Sequence, residues 1–277
     1  MHILGIETSC DETSVAVLKV SSPTHKASEG TVKVLSNIVS SQVKIHSPFG
    51  GVVPGLAARE HEKNLPMVFE KALKKEKTAM TQIDLIAVTQ GPGLEIALWK
   101  GINFAKELSR RHNKPLSGIN HLEGHIYSNW LKPVGEISNF ESLISEKIPI
   151  LNLIVSGGHT QLVLMTGHGK FKILGETLDD AAGEAFDKVA RMLKLGYPGG
   201  PVISKLAEEG NPKKYNLPRP MLNQKNYNFS FSGLKTAVLY LLKELFLLDG
   251  YSILKGSRRI KRDIAASFQQ AVVDVLV

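Results

Sequence analysis

Cysteine is nearly absent from this chain. Cys10 is the only one in 277 residues, which excludes an internal disulfide framework and suits a reducing compartment. Long apolar runs are missing too: no stretch is uniformly apolar over the ~20 residues that span a bilayer. The N-terminus, MHILGIETS, lacks a basic region followed by an apolar stretch, so it does not read as a secretory signal, and a cytoplasmic location without membrane association is expected. Acidic residues are the minority charge, 26 Asp and Glu against 34 Lys and Arg, a formal net charge of +8. That balance points to an anionic partner, nucleic acid ahead of membrane. What is present, 43% hydrophobic and 22% charged residues, suffices to bury one large core or two ordinary ones.

Periodicity organises the chain into an α/β layer fold. LGIETS and SVAVLKV bracket a polar turn, TVKVLSNIV alternates as a third strand, and HEKNLPMVFEKALKKEK has helical spacing. IDLIAVTQ reads as a buried strand ended by GPG, and Leu94, Ala97, Leu98, Gly101, Ile102, Ala105 and Leu108 form one apolar stripe of a helix. A short strand PLSGIN and a histidine-bearing helix follow. The order is β-β-β-α-β-α.

The pattern then restarts. PILNLIVS, a polar turn GGHT, QLVLMT and KFKILGE give three more strands, followed by a helix over GEAFDKVARMLKL. LGIETSCDETSVAVL and LNLIVSGGHTQLVLM share one plan: strand, serine, tight polar turn, threonine, alternating strand. This predicts an internal duplication, with domains at 1–131 and 132–277. The second half lacks the later strand and helix pairs of the first, and the last helix, RRIKRDIAASFQQAVVDVLV, shows no stop signal. The expectation is a second domain truncated at its C-terminus.

Three groups of residues carry potential chemistry. Glycines in the turn SGGHT, 156–160, and in GYPGGP, 196–201, permit backbone N–H groups to curl around an anion or approach a ligand closely. Carboxylates occur at Asp11 and Glu12 in the first turn, and at Asp179, Asp180, Glu184 and Asp187, of which the last three share a helix face. Asp187 lies deepest and suits ribose hydroxyls. His121 and His125 stand at i and i+4, a spacing that lets two imidazoles grip one ion. A zinc protease would place glutamate directly after the first histidine; Leu122 is there, and Glu123 lies about 200° around the helix from His121.

SCDETS at 9–14, GGVVPGLAAREH at 50–61, GPGL at 91–94, NHLEGH at 120–125, VSGGHTQL at 155–162, DDAAGEAFDK at 179–188, YPGGP at 197–201, LPRP and FSFSGLKT at 229–236 closely resemble the tRNA threonylcarbamoyladenosine transferase family, TsaD-like in bacteria. The resemblance runs in order along the whole chain. It implies an actin-like ATPase (ASKHA) fold of two ribonuclease-H-like domains. It further implies transfer of a threonylcarbamoyl group from threonylcarbamoyl-adenylate to the exocyclic amine of the adenosine beside the anticodon, in tRNAs reading codons that begin with A. His121 and His125 match the family's metal ligands, the ion being Fe2+ with Zn2+ as the alternative. Ile154, Val155, Ser156, Gly157, Gly158, Asp187 and Gly200 match its nucleotide-substrate positions, and Asp11 and Glu12 a motif near the reacting centre, as catalytic candidates. The implied partners are tRNA, a paralogous TsaB-like dimerisation subunit and a small TsaE-like ATPase.

Departures accompany the match. Relatives of full length continue with a glycine-rich loop, an adenine-side asparagine and an aspartate that is a third metal ligand, and none of these is in this chain. Gly55 stands where relatives usually carry glutamate, and Ile154 where archaeal-type members carry tyrosine. The 277-residue chain is therefore expected to be marginally stable and inactive by itself. A non-catalytic paralogue and, further off, a metalloprotease are the competing readings. The basic run KGSRRIKR, 255–262, would suit tRNA phosphates but reads more simply as a solvated helix start.

Overall fold

The computed structural model describes residues 1–21, 30–75, 77–139, 144, 147–249 and 258–277. Its contacts divide the chain into two compact units, Met1–Ile45 with Val52–Pro149, and His46–Gly51 with Ile150–Val277.

The first unit follows the anticipated order. Strands β1 (His2–Glu7), β2 (Glu12–Ser21) and β3 (Thr31–Ser41) form an antiparallel meander, and β4 (Leu85–Gly91) and β5 (Leu116–Asn120) add in parallel beyond β1. A short helix α1 (Val43–His46) follows β3; α2 (Pro54–Lys75) leads to β4 and α3 (Glu95–His112) to β5. The resulting sheet order, β5-β4-β1-β2-β3, is that of a ribonuclease-H-like domain. Alternation on β1 and β2 sends Leu4, Ile6, Val15 and Val17 to one face, where Leu65, Val68 and Ala72 of α2 and Ala105 and Leu108 of α3 cover them. Each such large side chain contributes about 1.5–3 kcal/mol by leaving water. Helix α2 starts earlier than its periodicity suggested, because Pro54 occupies the first turn, where the missing N–H costs nothing.

The first compact unit runs past Leu131, where the first domain was expected from sequence to end. A two-residue strand, β6 (Ile137–Ser138), pairs with the outer edge of β3, so the segment up to Pro149 packs with the first unit. A short pairing of this kind has no periodicity to read.

In the second unit, β7 (Ile150–Val155), β8 (Thr160–Gly167) and β9 (Lys170–Glu176) repeat the antiparallel meander. Helices α5 (Ala182–Met192), α6 (Gly199–Ala207), α7 (Ser232–Asp249) and α8 (Arg258–Leu276) follow. Their core joins Val189, Ile203, Phe231, Leu234, Val238, Phe268 and Val272, with Phe186 edge-on to Phe268 at 5.0 Å between centroids. Among the described residues no strand follows β9, and β7 pairs on one side only, whereas β1 pairs on both. Leu151, Leu153 and Val155 of β7 are correspondingly exposed. Helix α7 was not anticipated.

Candidate functional site

In the first unit the chain enters α4 (His121–Ser128) directly from β5, and the Asn120 side chain caps it by accepting from the Leu122 and Glu123 N–H groups at 2.8 and 3.2 Å. The two imidazoles share a face as expected. Their Nε2 atoms lie 3.1 Å apart, with ring planes at 82°.

What aims them is Glu7, at the end of β1, a residue the sequence reading passed over. His121 Nδ1 is 3.1 Å from Glu7 Oε2 and 3.2 Å from Ser9 Oγ, while Thr89 Oγ1 donates to the same carboxylate at 2.6 Å and the Ser9 N–H also donates to it. Burial alone would raise the Glu7 pKa, but the hydrogen bonds from His121, Ser9 and Thr89 outweigh it and hold the carboxyl at about 2. An ionised Glu7 can only accept, so His121 Nδ1 donates to it, and in the neutral imidazole this leaves the lone pair on Nε2. His125 is held below the ordinary histidine range, by burial first and then by His121, which keeps it neutral and able to donate electrons to a metal.

These donors fit a divalent ion. Two nitrogens at ~2.1 Å from one ion stand about 3.0–3.4 Å apart in octahedral or tetrahedral geometry, and the observed separation lies in that range. The Glu7–His121 contact has the form of the carboxylate partner that orients metal-bound histidines. Among the described residues no group of three or more His, Cys, Asp or Glu could hold a metal. The set supplied is two nitrogens.

Asp11 lies in the turn between β1 and β2, and Glu12 opens β2. Burial raises Glu12, the neighbouring Asp11 charge adds to it, and its pKa reaches about 7. The turn is held from beneath by His61 of α2, fully buried with Thr13 and Gln42. His61 Nε2 donates to the Cys10 carbonyl at 3.0 Å and Nδ1 accepts from Thr13 Oγ1 at 2.8 Å, while the Gln42 N–H donates to the Asp11 carbonyl at 2.9 Å. The GPGL segment closes the other side: the Leu94 N–H donates to the Ser9 carbonyl at 2.7 Å, and a Cβ on Gly93 would lie 2.7 Å from that oxygen, so only glycine fits.

In the second unit Ile154 is buried and Val155 exposed at the end of β7, and the turn 156–159 follows. The N–H groups of Gly158 and His159 converge on Ser156 Oγ at 3.3 and 3.0 Å. These N–H groups are thus turned on a hydroxyl of their own loop. A Cβ at Gly157, Gly158 or Gly200 would meet no atom within 4 Å, so packing of the chain does not require glycine there. Gly199 differs, since its Cβ would lie 2.6 Å from Asp187 Cα. Asp187 Oδ1 accepts from the Gly199 N–H at 2.7 Å, joining α5 to the start of α6. The carboxylate face proposed for α5 divides: Lys188 pairs with Asp180 at 2.7 Å and Glu184 at 2.8 Å, and Lys235 with Asp180 at 2.7 Å. Asp179 accepts from Phe231 N and Ser232 N, at 2.8 and 3.1 Å, and so holds the start of α7. Those three acids serve architecture.

A family profile described as "TsaD: tRNA N6-adenosine threonylcarbamoyltransferase" matches residues 33–277. The chain belongs to the TsaD family. Relatives named tRNA N6-adenosine threonylcarbamoyltransferase include one from Thermosipho melanesiensis, 53% identical over 277 residues, covering 100% of this chain and 75% of that protein. Another, from Bacillus subtilis, is 48% identical, covering 100% of this chain and 72% of that one. Among solved structures, component A of the (R)-2-hydroxyglutaryl-CoA dehydratase of Acidaminococcus fermentans shares 14% identity over 100% of this chain and 76% of its own, with a TM-score of 0.48. TsaD-family membership places the chain among transferases of tRNA modification, with the mixed α/β fold of the actin-like ATPase class. No helix among the described residues is long and apolar enough to cross a membrane. Residues 255–257 of the basic run lie outside the described residues; Arg258 opens α8.

Proposed function

We propose that this chain transfers the threonylcarbamoyl group of threonylcarbamoyl-adenylate to the exocyclic amine of the adenosine beside the anticodon, in tRNAs reading codons that begin with A. Family membership supports the reaction class, and the convergence of His121 and His125 Nε2 under the Glu7 carboxylate is the observation that carries the site. The amine nitrogen attacks the carbonyl carbon of the mixed anhydride, the carbon–oxygen bond to phosphate breaks, and AMP leaves with the electron pair. Glu12, with a pKa of about 7, is matched to accept the amine proton at neutral pH. Asp11 holds that value up by its adjacent charge. A divalent ion held by His121 and His125, ferrous iron with zinc as the alternative, would supply Lewis-acid polarisation of the carbonyl or phosphate oxygens. In the second unit, Ile154, Val155, Ser156, Gly157 and Gly158 would take the phosphate, with Asp187 and Gly200 at the ribose. A TsaB-like subunit and a TsaE-like ATPase are the proposed protein partners.

The exposed apolar side chains of β7 leave that edge of the second sheet open to water. Turnover by this chain alone is accordingly expected to be low, and the test is a single-turnover one. Chain in excess over unmodified tRNA is mixed with threonylcarbamoyl-adenylate, and the tRNA nucleosides are read by mass spectrometry, alongside calorimetric binding of a hydrolysis-resistant adenylate analogue. Analogue binding that is lost on Gly158→Val, with any modified adenosine lost on Glu12→Gln, supports the reading. Absence of both binding and product overturns it.

A further inference from the structure

The longest irregular segment of the second unit is unlike the rest of the chain in charge. No acidic residue occurs between Glu209 and Glu244, while Lys213, Lys214, Arg219, Lys225, Lys235 and Lys243 all do. Two of these cations are committed inside the unit, Arg219 to Asp274 and Lys235 to Asp180. Lys213, Lys214 and Lys225 are exposed and make no ion pair among the described residues.

The segment 211–229 is nonetheless fixed at both ends. At its start, the Asn211 N–H donates to Asp263 at 2.8 Å, the Tyr215 N–H to Ser267 Oγ at 3.2 Å, and Ser267 Oγ to the Asn211 carbonyl at 3.2 Å, all on α8. At its end, the Phe229 N–H donates to the Glu176 carbonyl at 3.0 Å and the Glu176 N–H to Asn228 Oδ1 at 3.1 Å. Gly175 has no room for a Cβ against the Tyr227 carbonyl, so the strand and the segment run in direct contact. Pro212, Pro218 and Pro220 restrict the backbone between. What this anchored coil turns outward is a continuous exposed run, Leu222 to Tyr227, that includes Asn223, Gln224, Lys225 and Asn226, with Tyr227 at 65% exposure.

From this arrangement we propose that the 211–229 segment is a docking surface for the single-stranded loop of an RNA. The inference rests on the tRNA reading above and assigns it a place. Lysines without an ion pair among the described residues attract phosphate, an exposed tyrosine ring on an anchored backbone offers a stacking platform for a base, and the amide side chains beside it can meet base edges. A protein partner of acidic character would account for the lysines but makes less of the exposed ring among amides. The segment also adjoins the turn assigned to the phosphate of the adenylate: Phe229 bridges Thr177, and the Thr177 N–H donates to the Thr160 carbonyl at 2.9 Å. Because the coil is pinned at both ends, docking would order few additional residues.

The test is fluorescence anisotropy with a labelled, unmodified tRNA and with its isolated anticodon stem-loop, over a series of salt concentrations. Replacing Lys213, Lys214 and Lys225 together by glutamine should flatten the slope of log affinity against log salt by about 2, at ~0.7 per single-strand phosphate contact. Tyr227→Ala should weaken stem-loop binding by about 5- to 150-fold, the range for loss of one stacked base, and Tyr227→Phe should restore it. A control pair, Lys74→Gln with Lys75→Gln on α2, should leave both unchanged. Wild-type binding with both segment variants indistinguishable from it overturns this assignment and leaves the proposed function standing. No binding of either RNA by the wild-type chain at low salt removes the tRNA reading itself and this surface with it. Unaltered RNA binding accompanied by loss of self-association in sedimentation would give the surface to a protein and equally overturn the proposal.

Discussion

Replacing Glu7 by glutamine isolates the group that orients the histidine pair. The substitution keeps the volume and one carbonyl oxygen that can still accept from Thr89 or Ser9, but it removes the charge that the Glu7 carboxylate, at a pKa of about 2, carries at neutral pH. A hydrogen bond to a charged acceptor contributes about 1.5–3 kcal/mol against about 0.5–1.5 kcal/mol for a neutral one, so the His121 Nδ1 bond weakens by about 1–2 kcal/mol. The amide can also rotate to present its NH2 to Nδ1, which favours the tautomer whose Nε2 no longer has a free lone pair. Loss of such a partner costs about 10- to 100-fold in metal affinity, equivalent to about 1.4–2.8 kcal/mol. The assay is competition between the chain and a chromophoric chelator for Zn2+, a redox-inert probe, with circular dichroism to confirm an unchanged fold. His121→Ala marks the floor left by a single imidazole. An affinity for Glu7→Gln within twofold of wild type would refute the reasoning, because the 3.1 Å contact would then have no bearing on the donor pair.

Other predictions test the remaining parts. His61→Leu should leave the Cys10 carbonyl and Thr13 hydroxyl short of a buried partner, at about 1–3 kcal/mol each, and lower the melting temperature by several degrees; His61→Gln, which retains a donor, should lower it less. Glu12 should titrate near pH 7 by carboxyl carbon NMR. Because the folded chain then keeps a proton that the unfolded chain releases above about 4.5, Glu12 lowers stability progressively as pH rises from 4.5 towards 7. Glu12→Gln should accordingly gain in melting temperature relative to wild type over that window. Gly199→Ala should unfold or distort the α5–α6 packing, since its Cβ meets Asp187 Cα at 2.6 Å, whereas Gly158→Ala should melt as wild type does.

The parts of this molecule legible in its sequence are those fixed by local periodicity. The β-β-β-α-β-α order, the repeated meander and the His121–His125 face all follow from spacings of two or of three to four residues. The first turns of α2 escaped because Val52, Val53 and Pro54 read as a loop until the proline is placed at the helix start. Helix α7 escaped because its apolar residues run nearly all the way around, which gives no amphipathic stripe. Residues whose importance comes from contacts distant in the chain were the hardest to read. Glu7 reaches His121 across 114 positions, and its one local sign was a charge in an otherwise apolar strand. The carboxylates before and within α5 looked like one binding face because Lys235, which pairs with Asp180, lies 55 residues away.

The central claim is that His121 and His125 hold one divalent ion through their Nε2 atoms. Anomalous X-ray scattering at the zinc or iron edge, from crystals of the metal-loaded chain, tests it most directly. The account predicts a single strong peak bonded to both nitrogens at about 2.0–2.1 Å, with His121 Nδ1 still on Glu7. A peak elsewhere, or none on the pair at saturating metal, would contradict it.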